Sequence, residues 1–435
     1  MIAATPPAPI ATPAALSPGP APAGYRVRLR FDPRVRSLEG TVAIRTRGAR
    51  GPVWVRLRAN RGGAPGVAAC ASARTRVAAI AGSTLVAARR GCGVVRVAPP
   101  PGAATLTLRV GVAIPAANDS FGRSLGVDLV GDVLPVMVAA GAGGPRLGPD
   151  PEWGEGLLAP VVPWDVSVGV PRGLTVVLPG VPRVRDGPGG RVFRSRARVR
   201  DAAIAVGALR ARSVRVGRVD VRVVAAPGAA GVLPAASARA VRAFRFMQRR
   251  YGRYPLPRLT VVVGNLPWGG SEYPGVVFST PDTATVSHEV AHQWFFSLVG
   301  NDQYRDPWLD ESLTSFHEQL LVPGTYDCPR ARPPAGLLTR GMGYWGAHPG
   351  AYERVVYRDG ACAFVALQRT AGAAPLRRAL AAYVAARAGG IAGARDLYAA
   401  LVTAVPGPVV DAWWARYVGD PPHAAVPPAV VAHRA

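Results

Sequence analysis

The chain has 435 residues, of which 49% are hydrophobic and 18% charged. That is enough apolar material for two or three cores at ~150 residues per domain, and it excludes a largely disordered chain or a charged coiled coil. The formal net charge is +26 and all 52 basic residues are Arg, but they alternate with Val and Leu instead of clustering with aromatics. They read as solvated strand faces, with no nucleic acid as partner.

Residues 1–23 are rich in Ala and Pro and carry no charged side chain, as expected of a leader or linker. Their prolines break the apolar core that a secretory signal needs; the remnant of a signal starting further upstream is the alternative. From 24 to about 225 the pattern has period two. Strands are expected at Tyr25–Phe31, Thr41–Arg47, Val53–Arg58, Thr105–Val112, Asp165–Val170, Leu174–Leu178, Val192–Arg198 and Val214–Val224, punctuated by Gly, Pro and Asp. This predicts an N-terminal all-β domain, an antiparallel sandwich or saddle-shaped sheet.

The texture changes after Gly231. A helix is predicted over 235–251, then a short apolar strand at Leu259–Val263. Further helices follow at 283–299, 309–321, 358–371, 375–388, 394–404 and 408–417. Residues 226–420 thus read as a mainly helical α+β domain, with 421–435 as a tail. No run of ~18 uninterrupted apolar residues occurs, so no integral membrane segment is expected. The four cysteines contain no CxxC. The pairs Cys70–Cys92 and Cys328–Cys362 each fall within one predicted domain and would suit an extracytoplasmic or cell-envelope protein, whereas four buried thiols would suit a cytoplasmic one.

The chemistry concentrates in Val286-Ser-His-Glu-Val-Ala-His-Gln-Trp-Phe295. His288 and His292 are four apart on a predicted helix, so both imidazoles leave one face a turn apart, as two ligands of a single Zn2+ require. Glu289 between them is placed to act on a metal-activated water. The helix is expected to end near Gly300; a second then opens at Trp308-Leu-Asp-Glu311, and Glu311 can supply a third ligand. With 6 His in the chain, a chance HExxH is expected on the order of 0.002 times.

At these residues the chain resembles the M1 gluzincin zinc metallopeptidases, in a short two-domain, aminopeptidase N-like form. His288-Glu-Val-Ala-His292 with Glu311 is similar to the family's HExxH-x18-E. Trp268-Gly-Gly-Ser-Glu-Tyr-Pro-Gly275 is similar to its GxMEN motif, and Tyr357-Arg-Asp-Gly360 resembles the Tyr-x-x-Gly segment of its catalytic tyrosine. The resemblance implies a thermolysin-like catalytic domain holding one Zn2+ per chain on His288, His292 and Glu311. It implies Glu289 as general base and Tyr357 as oxyanion donor. Glu272, with Gly269 and Gly270, would bind peptide substrates by their free N-terminus. Ser271, Tyr273 and Phe296-Ser297 depart from the family's usual Met, Asn and Gly-Asn.

A zinc endopeptidase on the same metal site is the alternative, and a catalytically silent binding protein of the same fold is another. Asp310 reads either as orienting a ligand histidine or as a helix N-terminal acid. His317, His348, His423 and His433 lack ligand spacing and read as surface residues, and Trp413-Trp414 as core. The sequence leaves the oligomeric state and the preferred N-terminal residue open.

Overall fold

Alternating apolar and polar residues give the long strands of the first half one face for the core and one for water. Along Ala21–Asp32, Val27, Leu29 and Phe31 are buried while Arg26 and Arg30 are exposed. The structure is a computed structural model that describes residues 20–49, 51–60, 70, 74–89, 92–116, 121–141, 144–147, 154, 156–328 and 336–422. His423 and His433, and most of the expected leader, lie outside the described residues; the first strand already begins at Ala21.

The largest sheet has seven strands in the order Arg183–Gly187, Gly190–Val199, Val162–Val170, Ala21–Asp32, Ser37–Arg47, Thr105–Ala113 and Thr75–Ile80. It is not wholly antiparallel as expected. Ala21–Asp32 runs parallel to Val162–Val170, and a parallel pair needs the long crossover that the intervening chain provides. Among the described residues, two four-stranded sheets and a two-stranded one, Ala140–Gly141 with Gly144–Pro145, complete the β-rich half. Cys70–Cys92 ties down one edge of it, and Cys328–Cys362 forms in the helical half.

The single strand expected at Val214–Val224 is a hairpin, Arg210–Val216 and Val219–Ala225, turning at Gly217. A five-stranded sheet joins this hairpin to Arg258–Val263, Val276–Ser279 and the two-residue edge strand Gly270–Ser271. The hairpin precedes the expected boundary near 225 in sequence, yet it pairs with the strands that follow that boundary.

Behind this sheet lies α1 (Leu233–Tyr251), followed by α2 (Thr283–Ala291) and α3 (Trp308–Leu321). The helix expected over 283–299 therefore stops at Ala291. His292 caps it, and the next residues turn sharply, with Phe296 at φ 123° and a bridge from Phe295 to Val299. A side chain rarely adopts that φ; the usual Gly of this position would do so without strain.

Fully buried Arg200 connects the halves. It donates to the carbonyls of Ala159, Ser297, Leu298 and Gly390, so one side chain from the β-rich half satisfies the irregular turn behind α2. Trp413 and Trp414 are core residues, with the Trp413 indole donating to Ala363 O at 2.6 Å.

Candidate metal centre

Asp282 opens α2 by accepting from the Thr285 amide at 2.9 Å, three residues after the strand Val276–Ser279 ends. From Val286 onward every residue of α2 is buried. His288 and His292 face α3, whose first turn carries Asp310 and Glu311. His288 Nε2, His292 Nε2 and Glu311 Oε2 form a triangle with edges of 3.0, 3.2 and 3.3 Å. Ligands about 2.0–2.1 Å from a four-coordinate ion stand about 3.3 Å apart, so the donor set fits a tetrahedral metal.

The other ring nitrogens are committed elsewhere. His288 Nδ1 lies 3.0 Å from Glu318 Oε2, and His292 Nδ1 lies 3.0 Å from the Phe295 carbonyl and 3.2 Å from Thr314 Oγ1. Such partners fix the tautomer and aim both Nε2 atoms at one point. The irregular end of α2 is what brings the Phe295 carbonyl back onto His292.

The electrostatics also favour a cation. Burial alone would lower the His288 pKa, but contact with Glu311 and Glu318 raises it well above the ordinary value. His292 is likewise opposed by burial and pushed up to about 10 by Glu311. Burial works against Glu311 too, yet the two imidazoles hold its carboxyl below the usual carboxylate range. Buried carboxylates outnumber the imidazoles here, and one divalent ion would offset them.

Glu289 is 5% exposed, and its Oε2 has no hydrogen-bond partner. Burial pushes its carboxyl up to about 8, the histidines opposing. Its carboxylate lies against the edge strand: a Cβ on Gly270 would stand 2.2 Å from Glu289 Oε1. Glycine is needed there to admit the acid. Gly269, at φ 88°, turns the chain into that edge.

Glu272 follows the edge strand. Gln303, fully buried, donates from Nε2 to Glu272 Oε1 at 3.0 Å and to Asp310 Oδ2 at 2.9 Å, while its Oε1 accepts from the Leu157 amide. Asp310 also accepts from Asn301 Nδ2 at 2.8 Å. The reading of Asp310 as a histidine-orienting group is therefore replaced: it lies in the first turn of α3 and holds Gln303 and Asn301.

Tyr357 sits in a π-helical turn, Glu353–Asp359, with its ring stacked on His288 at 5.6 Å between centroids. Ser312 on α3 donates to Val356 O at 2.6 Å, and a Cβ on Gly360 would stand 2.1 Å from Ser312 Oγ. That close approach is the physical content of the Tyr-x-x-Gly spacing. The Tyr273 hydroxyl lies against Gly131 of the β-rich half, and the ring packs on Phe278.

Among the remaining histidines, His348 is exposed, but His317 is fully buried, contrary to expectation. It bonds Tyr251 Oη and the Leu313 carbonyl, and burial pushes its pKa down to about 3. A neutral histidine with both nitrogens satisfied is a core residue. The sequence reading missed Glu318, Gln303 and Arg200. Glu318 had a signal, since it falls seven residues after Glu311 on the same helix face.

Two buried histidines one helical turn apart and a facing glutamate form a group that could hold a metal ion, with an acid beside it whose Oε2 has no partner. Comparison with known proteins agrees, because residues 236–335 match the Peptidase family M1 domain. Over that stretch the chain is similar to the M1 peptidase domain and to aminopeptidases. It is 30% identical over 104 residues to aminopeptidase B of Rattus norvegicus, covering 21% of this chain and 16% of that protein. It is 30% identical over 87 residues to leucine aminopeptidase 2-1 of Meyerozyma guilliermondii, covering 18% and 13%. With leucine aminopeptidase 2 of Vanderwaltozyma polyspora the figures are 33% over 72 residues, 15% and 11%. The matched stretch is therefore under a fifth of each relative's length.

Proposed function

We propose that the chain is a zinc-dependent aminopeptidase, with an N-terminal β domain over 24–225 and a thermolysin-like catalytic domain over 226–420. The observation that carries this is the triangle of His288, His292 and Glu311 with the unpartnered Glu289 carboxylate beside it. These three residues would hold one Zn2+, which supplies Lewis acidity to the scissile carbonyl and makes water nucleophilic near neutral pH. Glu289 takes the proton of the attacking water and returns it to the departing amine.

Tyr357, beside His288, donates its hydroxyl to the developing oxyanion. Gly269, whose amide and carbonyl bond Leu266 and Thr280, turns the chain so that the outer edge at Gly270 receives the substrate backbone as an added strand. Glu272, held by Gln303, accepts the substrate's terminal ammonium in a charge-assisted hydrogen bond and so fixes which carbonyl is attacked. Two disulfides support an extracytoplasmic or cell-envelope location, the compartments in which such bonds persist.

The test is hydrolysis of matched free and N-acetylated peptides, with and without a chelator. Free peptides should be cut, acetylated ones poorly, and the chelator should stop both. Equal cleavage of the two by the wild type would promote the endopeptidase reading and leave the metal chemistry standing.

A further inference from the structure

Arginines that alternate along each strand look dispersed in the sequence, but the seven-stranded sheet gathers them onto one face. Arg26, Arg28 and Arg30 all leave Ala21–Asp32 on the side away from the core. Across the parallel neighbour, Arg26 pairs with Asp165 and Asp165 with Arg196, while Arg28 pairs with Ser167 and Ser167 with Arg194. In the other direction Arg28 faces Thr41, and Thr41 faces Arg109. Paired residues share a face, so these guanidinia form one field.

We propose that this face docks on the surface of an anionic phospholipid bilayer. Its acids are few. Asp32 shares the face of Arg26 and Arg30, Glu39 is bridged to Arg76, and Asp165 is paired with Arg28, Arg194 and Arg196, with hydrogen bonds from Arg194 and Arg28 holding its carboxyl well below the carboxylate range. Arg183 stands directly opposite Arg194, a like-charge pair that weakens a sheet unless something anionic covers it.

The face is also broad and low. Seven strands span about 30 Å at the usual spacing, and Thr41, Ala43, Ser167 and Gly169 keep the surface between the arginines shallow. Screening confines attraction to about 8–10 Å, so many charges act together only against a surface as extended as the face itself. Val192 projects from the face at 43% exposure, with exposed Val181 just before the edge strand, as suits contact with an interfacial layer. The aromatics of these strands, Tyr25, Phe31, Trp164 and Phe193, are all buried on the core side. The stacking platforms of a single-stranded nucleic-acid surface are therefore lacking.

The experiment is co-sedimentation of the full chain with vesicles of phosphatidylcholine containing about one-third phosphatidylglycerol. The variants replace four arginines by Gln, either on the face (Arg26, Arg30, Arg196 and Arg198) or on the helical half (Arg245, Arg249, Arg369 and Arg378). Wild type should bind these vesicles, ignore pure phosphatidylcholine and release in 0.5 M salt. At about 5-fold per arginine near a charged bilayer, the face variant should bind at least ~30-fold more weakly. The helical-half variant should stay within about 3-fold of wild type, and both should keep wild-type unfolding temperatures. Equal losses in the two variants would reduce the effect to net charge and overturn the assignment. So would tighter binding to single-stranded DNA than to vesicles at equal salt, or no vesicle binding by the wild type.

Discussion

The outer face of the seven-stranded sheet and the contact between α2 and α3 use charge in opposite ways. On the sheet, each arginine leaves a strand toward water, and most ion pairs there are partly exposed and contribute little to stability. Between the helices, His292, Glu311 and Asp310 are at most 2% exposed, Glu289 and Glu318 are 5%, and His288 is 8%. Burying such groups costs several kcal/mol each unless they are paired or coordinate a metal. The charges of the sheet's outer face stay hydrated at little cost to the fold, whereas the helical contact goes against stability and needs a function to account for it.

That contrast can be broken at chosen residues. The largest expected effect is at Glu289. Glu289→Gln keeps the shape but removes the proton acceptor, so kcat should fall by about 10²-fold or more while metal content is unchanged. Near wild-type kcat would remove Glu289 as the base.

Glu318 comes next, because it acts through His288. Glu318→Ala should weaken metal binding by about 10- to 100-fold in a competition titration with a chelator, without abolishing it. Unchanged affinity would make the 3.0 Å contact with His288 incidental. The smallest effect is expected at Gln303. Gln303→Met fills the same volume but cannot donate to Glu272, and it should lower the preference for free over acetylated peptides by roughly 10-fold. Metal content should not change. A preference retained within twofold would show that Glu272 is held in place without it.

What the sequence reveals follows the same division. Strand and helix positions come from local periodicity, so Tyr25–Phe31, Thr105–Val112 and 235–251 are legible to within a few residues. The HExxH and its distant Glu are legible because ligand geometry dictates spacing on a helix. The parallel pairing of Ala21–Asp32 with Val162–Val170 is not, since nothing local records a partner so far along the chain. Nor is the early end of α2, which depends on Arg200 binding the carbonyls of Ser297 and Leu298 from the other half. Nor is the burial of His317, since its packing against Tyr251 and Phe295 is a tertiary fact that spacing along the chain does not record.

The central claim is that the buried cluster on α2 and α3 exists to hold a catalytic metal. Elemental analysis of the purified chain beside His292→Ala tests it most directly. About one zinc per wild-type chain, lost in the folded variant together with peptide hydrolysis, is the predicted result. Undiminished zinc in His292→Ala would contradict it.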